Sequence, residues 1–129
     1  PNTDPNTDDC GIQIWAEVRD QQGPCTECRS GDYITLAVVL TNTCPDMTKV
    51  YESNRSCLVS EFEVYNRIST SSSVYPMTCR ASEFRLALPP GEIYSETRPA
   101  GRLSQSTYSL RVQLENLERS LLSVDFTVE

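Results

Sequence analysis

The sequence predicts an all-β protein: an immunoglobulin-like antiparallel β-sandwich of about seven to nine strands, braced by disulfides. Three observations predict this fold class. Apolar and polar side chains alternate over many short segments, turn-forming residues separate those segments, and the chain of 129 residues holds six cysteines. Successive side chains of a strand point to opposite faces, so each alternating segment has one apolar face that must pack against another sheet.

The segment Tyr33–Asn42 (YITLAVVLTN) organises the rest of the predicted sandwich. One of its faces carries four large apolar side chains: Ile34, Leu36, Val38 and Leu40. The opposite face is smaller and mixed, but Ala37 and Val39 make it partly apolar. A strand that is apolar on both faces suits the middle of a sheet better than its edge. We therefore expect a central strand here.

The remaining strands are predicted from the same alternation. The segments are Ile12–Val18, Met47–Tyr51, Cys57–Arg67, Phe84–Leu88, Ile93–Thr97, Tyr108–Glu115 and Leu122–Glu129. Between them we expect a flexible loop at Ser69–Ser73 and a turn at Pro99–Gly101, because Ser, Pro and Gly favour such conformations. The last two strands should form a hairpin around a short loop at Asn116–Ser120. The leucine spacing also allows a helical turn within Gln113–Leu122.

Residues 1–10 are expected to form an extended polar tether, and residues 11–129 a single sandwich domain. The first eight residues are two copies of Pro-Asn-Thr-Asp, which contain nothing that a core would bury. A folded part of about 120 residues is a usual size for one domain. The chain begins at Pro1 rather than at Met, as we expect of a processed, exported protein.

The strongest signal of where the protein works comes from its six cysteines: Cys10, Cys25, Cys28, Cys44, Cys57 and Cys79. Such a density points to disulfides or to a metal site. Cys25 and Cys28 have the spacing of half a zinc site, but zinc needs four ligands, and the chain has no histidine. A redox-active pair is a further alternative, although such a pair normally begins a helix. We predict disulfides and an extracytoplasmic location, which is the periplasm, the cell surface or the secreted fraction.

Composition excludes several classes of function. The formal net charge is −7, with 18 acidic against 11 basic residues, so we expect no nucleic acid and no membrane insertion. Without histidine, Ser-His and Cys-His nucleophiles cannot be built. Acidic pairs such as Glu61 with Glu63 and Glu115 with Glu118 should lie on solvated strand faces. The sequence therefore predicts no enzyme, no cofactor and no metal.

Short motifs resemble known families. Leu36–Thr43, which ends in Thr-Asn-Thr, resembles a strand of bacterial immunoglobulin-like domains. Phe62–Asn66 (FEVYN) and Leu88–Glu92 (LPPGE) follow in the order found in the bacterial intracellular proteinase inhibitor family. The similarity spans residues 12 to 128. This resemblance implies an immunoglobulin-like fold and a distant relation to protease inhibitors.

The predicted function is that of an exported, non-catalytic binding or assembly module. Its partner would be another protein or a copy of the same chain. Two alternatives remain open. One is a protease inhibitor that acts through a braced loop, either Cys25–Cys28 or Leu88–Gly91. The other is a subunit of an extracellular filament that assembles by strand complementation.

Three candidate sites accompany these predictions. The candidate interaction loop consists of Pro89, Pro90, Gly91 and Glu92. Trp15 lies on the polar side of its alternating segment, so it either covers a second layer or marks a contact surface. The tripeptide that begins at Asn54 fits an N-glycosylation acceptor.

Overall fold

A computed structural model describes residues 10–53, 57–78, 84–114 and 121–129. In these residues the chain forms eleven β-strands. They are β1 (Ile12–Asp20), β2 (Gly23–Pro24), β3 (Glu27–Cys28), β4 (Ile34–Asn42), β5 (Lys49–Ser53), β6 (Val59–Asn66), β7 (Ser72–Pro76), β8 (Phe84–Leu88), β9 (Ile93–Gly101), β10 (Ser106–Leu114) and β11 (Leu121–Val128). The described part of the chain contains no helix, and hence none that is long and apolar enough to cross a membrane.

The first sheet has four strands in the order β2-β1-β4-β9, and its neighbouring strands are antiparallel. The prediction of a central strand is confirmed, since β4 lies between β1 and β9. The inward side chains of β4, including Leu36 and Leu40, are buried in the core. Ala37 and Val39 on the outward face are buried as well. Burial on both faces explains why this strand is apolar on both.

The second sheet has five strands in the order β3-β11-β10-β6-β7. Its long strands are antiparallel, and their inward side chains, such as Phe62, Leu110 and Val112, are fully buried. The two-residue β3 joins the edge of β11 in parallel. A third sheet pairs β5 with β8, and its Tyr51 and Leu88 belong to the same hydrophobic core as the two larger sheets. The described residues thus enclose one core.

The arrangement is that of an immunoglobulin-like β-sandwich, with β1, β4 and β9 in one sheet and β6, β10 and β11 in the other. A tyrosine corner accompanies it. The hydroxyl of Tyr108, near the start of β10, donates to the carbonyl of Ser104 at 2.6 Å. Antibody domains place an inter-sheet cysteine two residues after this tyrosine, whereas here the buried Leu110 fills that position.

The predicted hairpin is confirmed, since β10 pairs with β11; the loop at Asn116–Ser120 lies outside the described residues. Two other predictions are wrong. Ser72 and Ser73 do not belong to a flexible loop, because they begin β7, an edge strand whose mostly exposed side chains leave no apolar alternation. Pro99–Gly101 is not a turn but the end of β9. A bulge opposite Ile34 takes up the extra residue, and the edge position of β9 tolerates the proline.

Candidate protein-binding surface

Two disulfides lie at opposite ends of the four-stranded sheet. Cys10–Cys44 joins the chain before β1 to the chain after β4, residues that are 34 apart in sequence. Cys25–Cys28 lies in the segment that follows β1 and contains β2 and β3. This segment crosses from the edge of β1 to the edge of β11, and we call it the crossing segment. The two bonded residues are only 3 apart in sequence. Cys57 is disulfide-bonded too, while Cys79 lies outside the described residues. The predicted disulfides are confirmed for these five cysteines, and they indicate an oxidising environment.

The loop around Cys25 and Cys28 is a structural brace. Asp20 and the two sulfurs place their ligand atoms within 4.8 Å of one another, but both sulfurs are held in the disulfide, whereas zinc binds thiolates. The Asp20 carboxylate accepts the backbone N–H groups of Gln22 (2.8 Å) and Arg29 (3.1 Å). Its hydrogen bonds therefore fasten the two ends of the crossing loop to β1.

Trp15 lies on the outward face of the four-stranded sheet. The pairing of β1 with β4 sets Trp15 beside Val39, and the pairing of β4 with β9 sets Val39 beside Ser95. The side chain of Trp15 is 38% exposed, while Val39 next to it is buried. The indole thus covers part of the sheet and presents the remainder to solvent.

The outward side chains of β1 are linked by hydrogen bonds, because Glu17 accepts one from Trp15 and one from Arg19. The indole N–H of Trp15 donates to Oε1 of Glu17 at 3.0 Å, and Nε of Arg19 donates to Oε2 at 2.6 Å. Burial raises the pKa of Glu17, but the hydrogen bonds from Trp15 and Arg19 and the charge of Arg19 outweigh it, so the pKa lies below its ordinary value. An ionised Glu17 therefore orients the indole at neutral pH.

The turn Pro89–Glu92 brings the chain from β8 to β9 at the end of the same sheet. The N–H of Glu92 donates to the carbonyl of Pro89 at 3.1 Å, and Gly91 has a φ of 77°. These features define a type II turn, in which proline suits the first central position and glycine the second. Gly91 thus permits the tight reversal between β8 and β9.

A buried amide locks this turn to β4. The side chain of Asn42, which is 1% exposed, donates from Nδ2 to the carbonyls of Met47 (2.7 Å) and Leu88 (2.8 Å). Its Oδ1 accepts the N–H of Cys44 at 2.9 Å. The main chain of Asn42 also exchanges two hydrogen bonds with the turn, of 3.2 and 3.0 Å. Because every polar group of this buried side chain has a partner, the junction is rigid rather than strained.

Trp15 and Ile93, the residue that follows the turn, lie on one face of the sheet, and we name this face together with the adjoining turn the outer-sheet patch. It consists of Gln13, Trp15, Thr41, Pro89, Pro90 and Ile93. The register sets Gln13 beside Thr41 and Thr41 beside Ile93, and the hydroxyl of Thr41 donates to the Glu92 carbonyl at 3.1 Å. Ile93 is 67% exposed and both prolines are exposed. Trp15, a candidate from the sequence, therefore shares a face with Ile93, which follows the proline loop and was not predicted as a site residue.

Other candidates lie elsewhere. The Cys25–Cys28 loop is at the opposite end of the sheet, and Asn54 lies outside the described residues. Of the acidic pairs, Glu61 is exposed on β6 and Glu63 pairs with Arg111 at 3.5 Å. Glu115 and Glu118 lie outside the described residues.

Sequence reasoning also missed Glu96, which ties β9 to the start of β6. Its carboxylate accepts the backbone N–H groups of Leu58 and Val59 at 3.0–3.1 Å and the hydroxyl of Tyr94 at 2.8 Å. Burial, followed by the hydrogen bond to Glu96 and its charge, raises the pKa of Tyr94 well above its ordinary value. No local pattern predicts the tie to β6, because Leu58 and Val59 are 38 and 37 residues away from Glu96 in sequence.

The class defined by this geometry is a disulfide-braced immunoglobulin-like domain. No family model matches the chain, and no curated protein matches it. The resemblance to the intracellular proteinase inhibitor family therefore stays a prediction.

Solved structures are similar over most of the chain. One is the CARDB domain of the PF1109 protein from Pyrococcus furiosus, in complex with di-metal ions, with 12% identity and a TM-score of 0.38 over 92% of this chain and 90% of that one. A β-glucosidase from Erythrobacter marinus has 11% identity and a TM-score of 0.44 over 93% of this chain. A β-glucosidase of saponin metabolism from intestinal bacteria has 14% identity and a TM-score of 0.40 over 94% of this chain. The chain spans only 16% of each glucosidase. At these identities and TM-scores, nothing those proteins bind or convert carries over to this chain.

Proposed function

We propose that the chain is a non-catalytic protein-binding module that works outside the cytoplasm, and that the outer-sheet patch is its contact surface. The observation that carries the proposal is the joint exposure of Trp15 and Ile93 beside a turn fixed by Asn42. Large aromatic and aliphatic side chains that protrude from a rigid frame are the usual anchors of protein interfaces.

The rigidity of the patch supports the proposal. Glu17 orients the indole of Trp15, and the type II turn holds the prolines next to Ile93. Binding would therefore order few side chains, and less of the interaction free energy would be lost to conformational entropy. The rim of the patch is polar, since Gln13 is exposed and Thr41 is half-exposed, as is usual around an apolar contact.

The location is proposed from the disulfides. Cys10–Cys44 and Cys25–Cys28 would not persist among cytosolic thiols, so the module is expected in the periplasm, at the cell surface or in the medium. Its partner in such a place is another protein. The protease-inhibitor alternative stays a prediction. A tight type II reversal at Pro89–Glu92 is not the extended conformation that enters a protease cleft.

Site-specific photo-crosslinking tests the contact surface. A photoreactive amino acid is placed at Ile93 in the patch or, as a matched control, at Val74, which is similarly exposed on the other sheet. Each chain is produced in the cells from which the protein comes and irradiated there. We expect a discrete adduct with another protein from position 93 that Trp15→Ser abolishes. An adduct from position 74 alone, or equal adducts from both positions, would contradict the proposal.

A further inference from the structure

A second apolar surface lies along the side of the sandwich where β1 and β11 are edge strands. β2 pairs with β1 only at Arg19 and Asp20, and β3 pairs with β11 only at its C-terminal end. Within the described ranges, no strand pairs with the outer edge of Ile12–Glu17 or with that of Leu121–Phe126. Exposed edges of this kind present backbone N–H and C=O groups that can accept a further strand.

The core is only partly covered between these two edges. The inward side chains on this side pack against the core but are only partly buried: Ile12, Ile14, Ala16, Leu122 and Val124. Further along the same strands, Val18 and Val128 are fully enclosed. We name the partly buried set the β1–β11 seam. It is an apolar strip flanked on both sides by strand edges that no strand of the described residues pairs with.

One end of the seam is closed. A shallow groove of about 360 Å³ lies there, lined by Ala16, Val18 and Val124 and by the segment Pro24–Thr26. Cys25 donates its N–H to the carbonyl of Val18 at 2.8 Å, which fixes the crossing segment over the end of β1. The free edge of β1 is therefore about six residues, or about 20 Å, long, so the seam fits a short extended segment.

We propose that the β1–β11 seam accepts an extended, cationic segment of another protein as an added β-strand. In an added strand, alternate side chains point the same way, so every second residue of the segment would enter the apolar seam. The negative charge of the chain favours basic side chains at the intervening positions of the added strand. The net charge is −7, and Arg19, the basic residue on β1, is paired with Glu17. At the closed end, Glu27 and Glu129 are exposed and, among the described residues, form no ion pair.

A second copy of the chain is the poorer occupant. Two edges of six residues would bury far less than the roughly 1,200–2,000 Å² of a stable interface. Each copy also carries a charge of −7, which opposes close approach. A cationic segment avoids this repulsion, because it is attracted by the acidic chain.

Two synthetic peptides test the proposal on the oxidised, full-length chain. One is a fluorescein-labelled peptide of about eight residues in which Val and Lys alternate. The other has the same composition, with the Val and Lys residues in separate blocks. Fluorescence anisotropy at moderate salt should show saturable binding of the alternating peptide that is about tenfold tighter than that of the block peptide. Equal binding of both peptides would mean charge attraction alone and would overturn the proposal, as would the absence of saturable binding.

Two matched variants of β11 test whether the peptide binds in the seam. Val124→Lys puts a charge into the seam, whereas Ser123→Lys puts the same charge on the outward face of the same strand. The seam variant should weaken the alternating peptide about tenfold and the control less than twofold. Equal losses would overturn the proposal.

Hydrogen exchange on the unaltered chain gives an independent readout should Val124→Lys fail to fold. The bound peptide should protect backbone amides within Ile12–Glu17 or Leu121–Phe126. Protection elsewhere, or sedimentation that shows the peptide binding between two copies of the chain, would contradict the assignment.

Discussion

The two ends of the four-stranded sheet are fastened in different ways. At the Asn42 end, Cys10–Cys44 joins residues that are 34 apart in sequence, and the buried amide of Asn42 binds the backbone of Cys44, Met47 and Leu88. At the other end, Cys25–Cys28 closes a loop of neighbouring residues, and the crossing segment contacts β1 and β11 through a few backbone hydrogen bonds. The first disulfide restrains the fold over long range, whereas the second restrains only its own loop.

This contrast bears on where binding surfaces form. The outer-sheet patch lies at the end with long-range restraints, where rigid side chains can be presented. The β1–β11 seam ends at the crossing segment, where edges remain open. The sandwich thus carries a preorganised surface, the outer-sheet patch, and a second surface, the β1–β11 seam, that is bordered by strand edges.

Removal of the Cys10–Cys44 disulfide should have the largest effect. In the chain-entropy description, a cross-link that closes a loop of about 35 residues stabilises the fold by about 4 kcal/mol. Urea unfolding of Cys10→Ala/Cys44→Ala, followed by Trp15 fluorescence, should show a loss of that order. A loss below about 1 kcal/mol would mean that this disulfide does not restrain the unfolded chain as the description requires.

Loss of the Asn42 amide should come next. Asn42→Leu keeps the number of side-chain heavy atoms but removes the hydrogen bonds to the carbonyls of Met47 and Leu88 and to the N–H of Cys44, at a cost of about 3 kcal/mol. The control is Thr41→Val, which removes only the partly exposed bond to the Glu92 carbonyl and should cost about 0.5–1 kcal/mol. Similar losses in both variants would show that burial of the amide is not what holds the turn.

Removal of the Cys25–Cys28 disulfide should matter less. A loop of about four residues gains about 2 kcal/mol in the same chain-entropy description, half the value at the other end. The double variant Cys25→Ala/Cys28→Ala should therefore unfold at a higher urea concentration than Cys10→Ala/Cys44→Ala. The reverse order would contradict the contrast between the two ends.

The smallest effect concerns pH. The pKa of Glu17 in the folded chain lies below its ordinary value of 4.5, so its contribution to stability is present above 4.5 and is lost as the pH falls through the folded pKa. Wild-type and Glu17→Gln chains should differ in stability at pH 7 and converge below that folded pKa. Unfolding curves across this range measure the difference, and a gap that stays constant with pH would exclude the ionised carboxylate as its cause.

The sequence predicts the parts of the fold that depend on alternation. The central strand and the final hairpin are confirmed because the core-facing side chains of each are buried, so that large apolar side chains recur at every second residue. The edge strand β7 is missed for the same reason, since its side chains are mostly exposed. At Pro99–Gly101 the local preference of proline and glycine for turns is overridden by pairing with β4.

The candidate site is less accessible to prediction. Trp15 and the proline loop are visible in the sequence as an outward aromatic residue and a stiff turn, but their positions relative to each other depend on the register of β4 with both of its neighbours. Asn42 and Glu96 acquire their roles from partners up to 46 residues away, at a distance no local pattern encodes.

Native-state hydrogen exchange tests the difference between the two ends most directly. The amides of Asn42 and Gly91, which hold the turn to β4, should exchange only through global unfolding. The amides of Cys25 and Thr127, which hold the crossing segment, should exchange faster through local opening. Exchange at equal rates in both pairs, or faster exchange at Asn42 and Gly91, would contradict a rigid end that carries the outer-sheet patch.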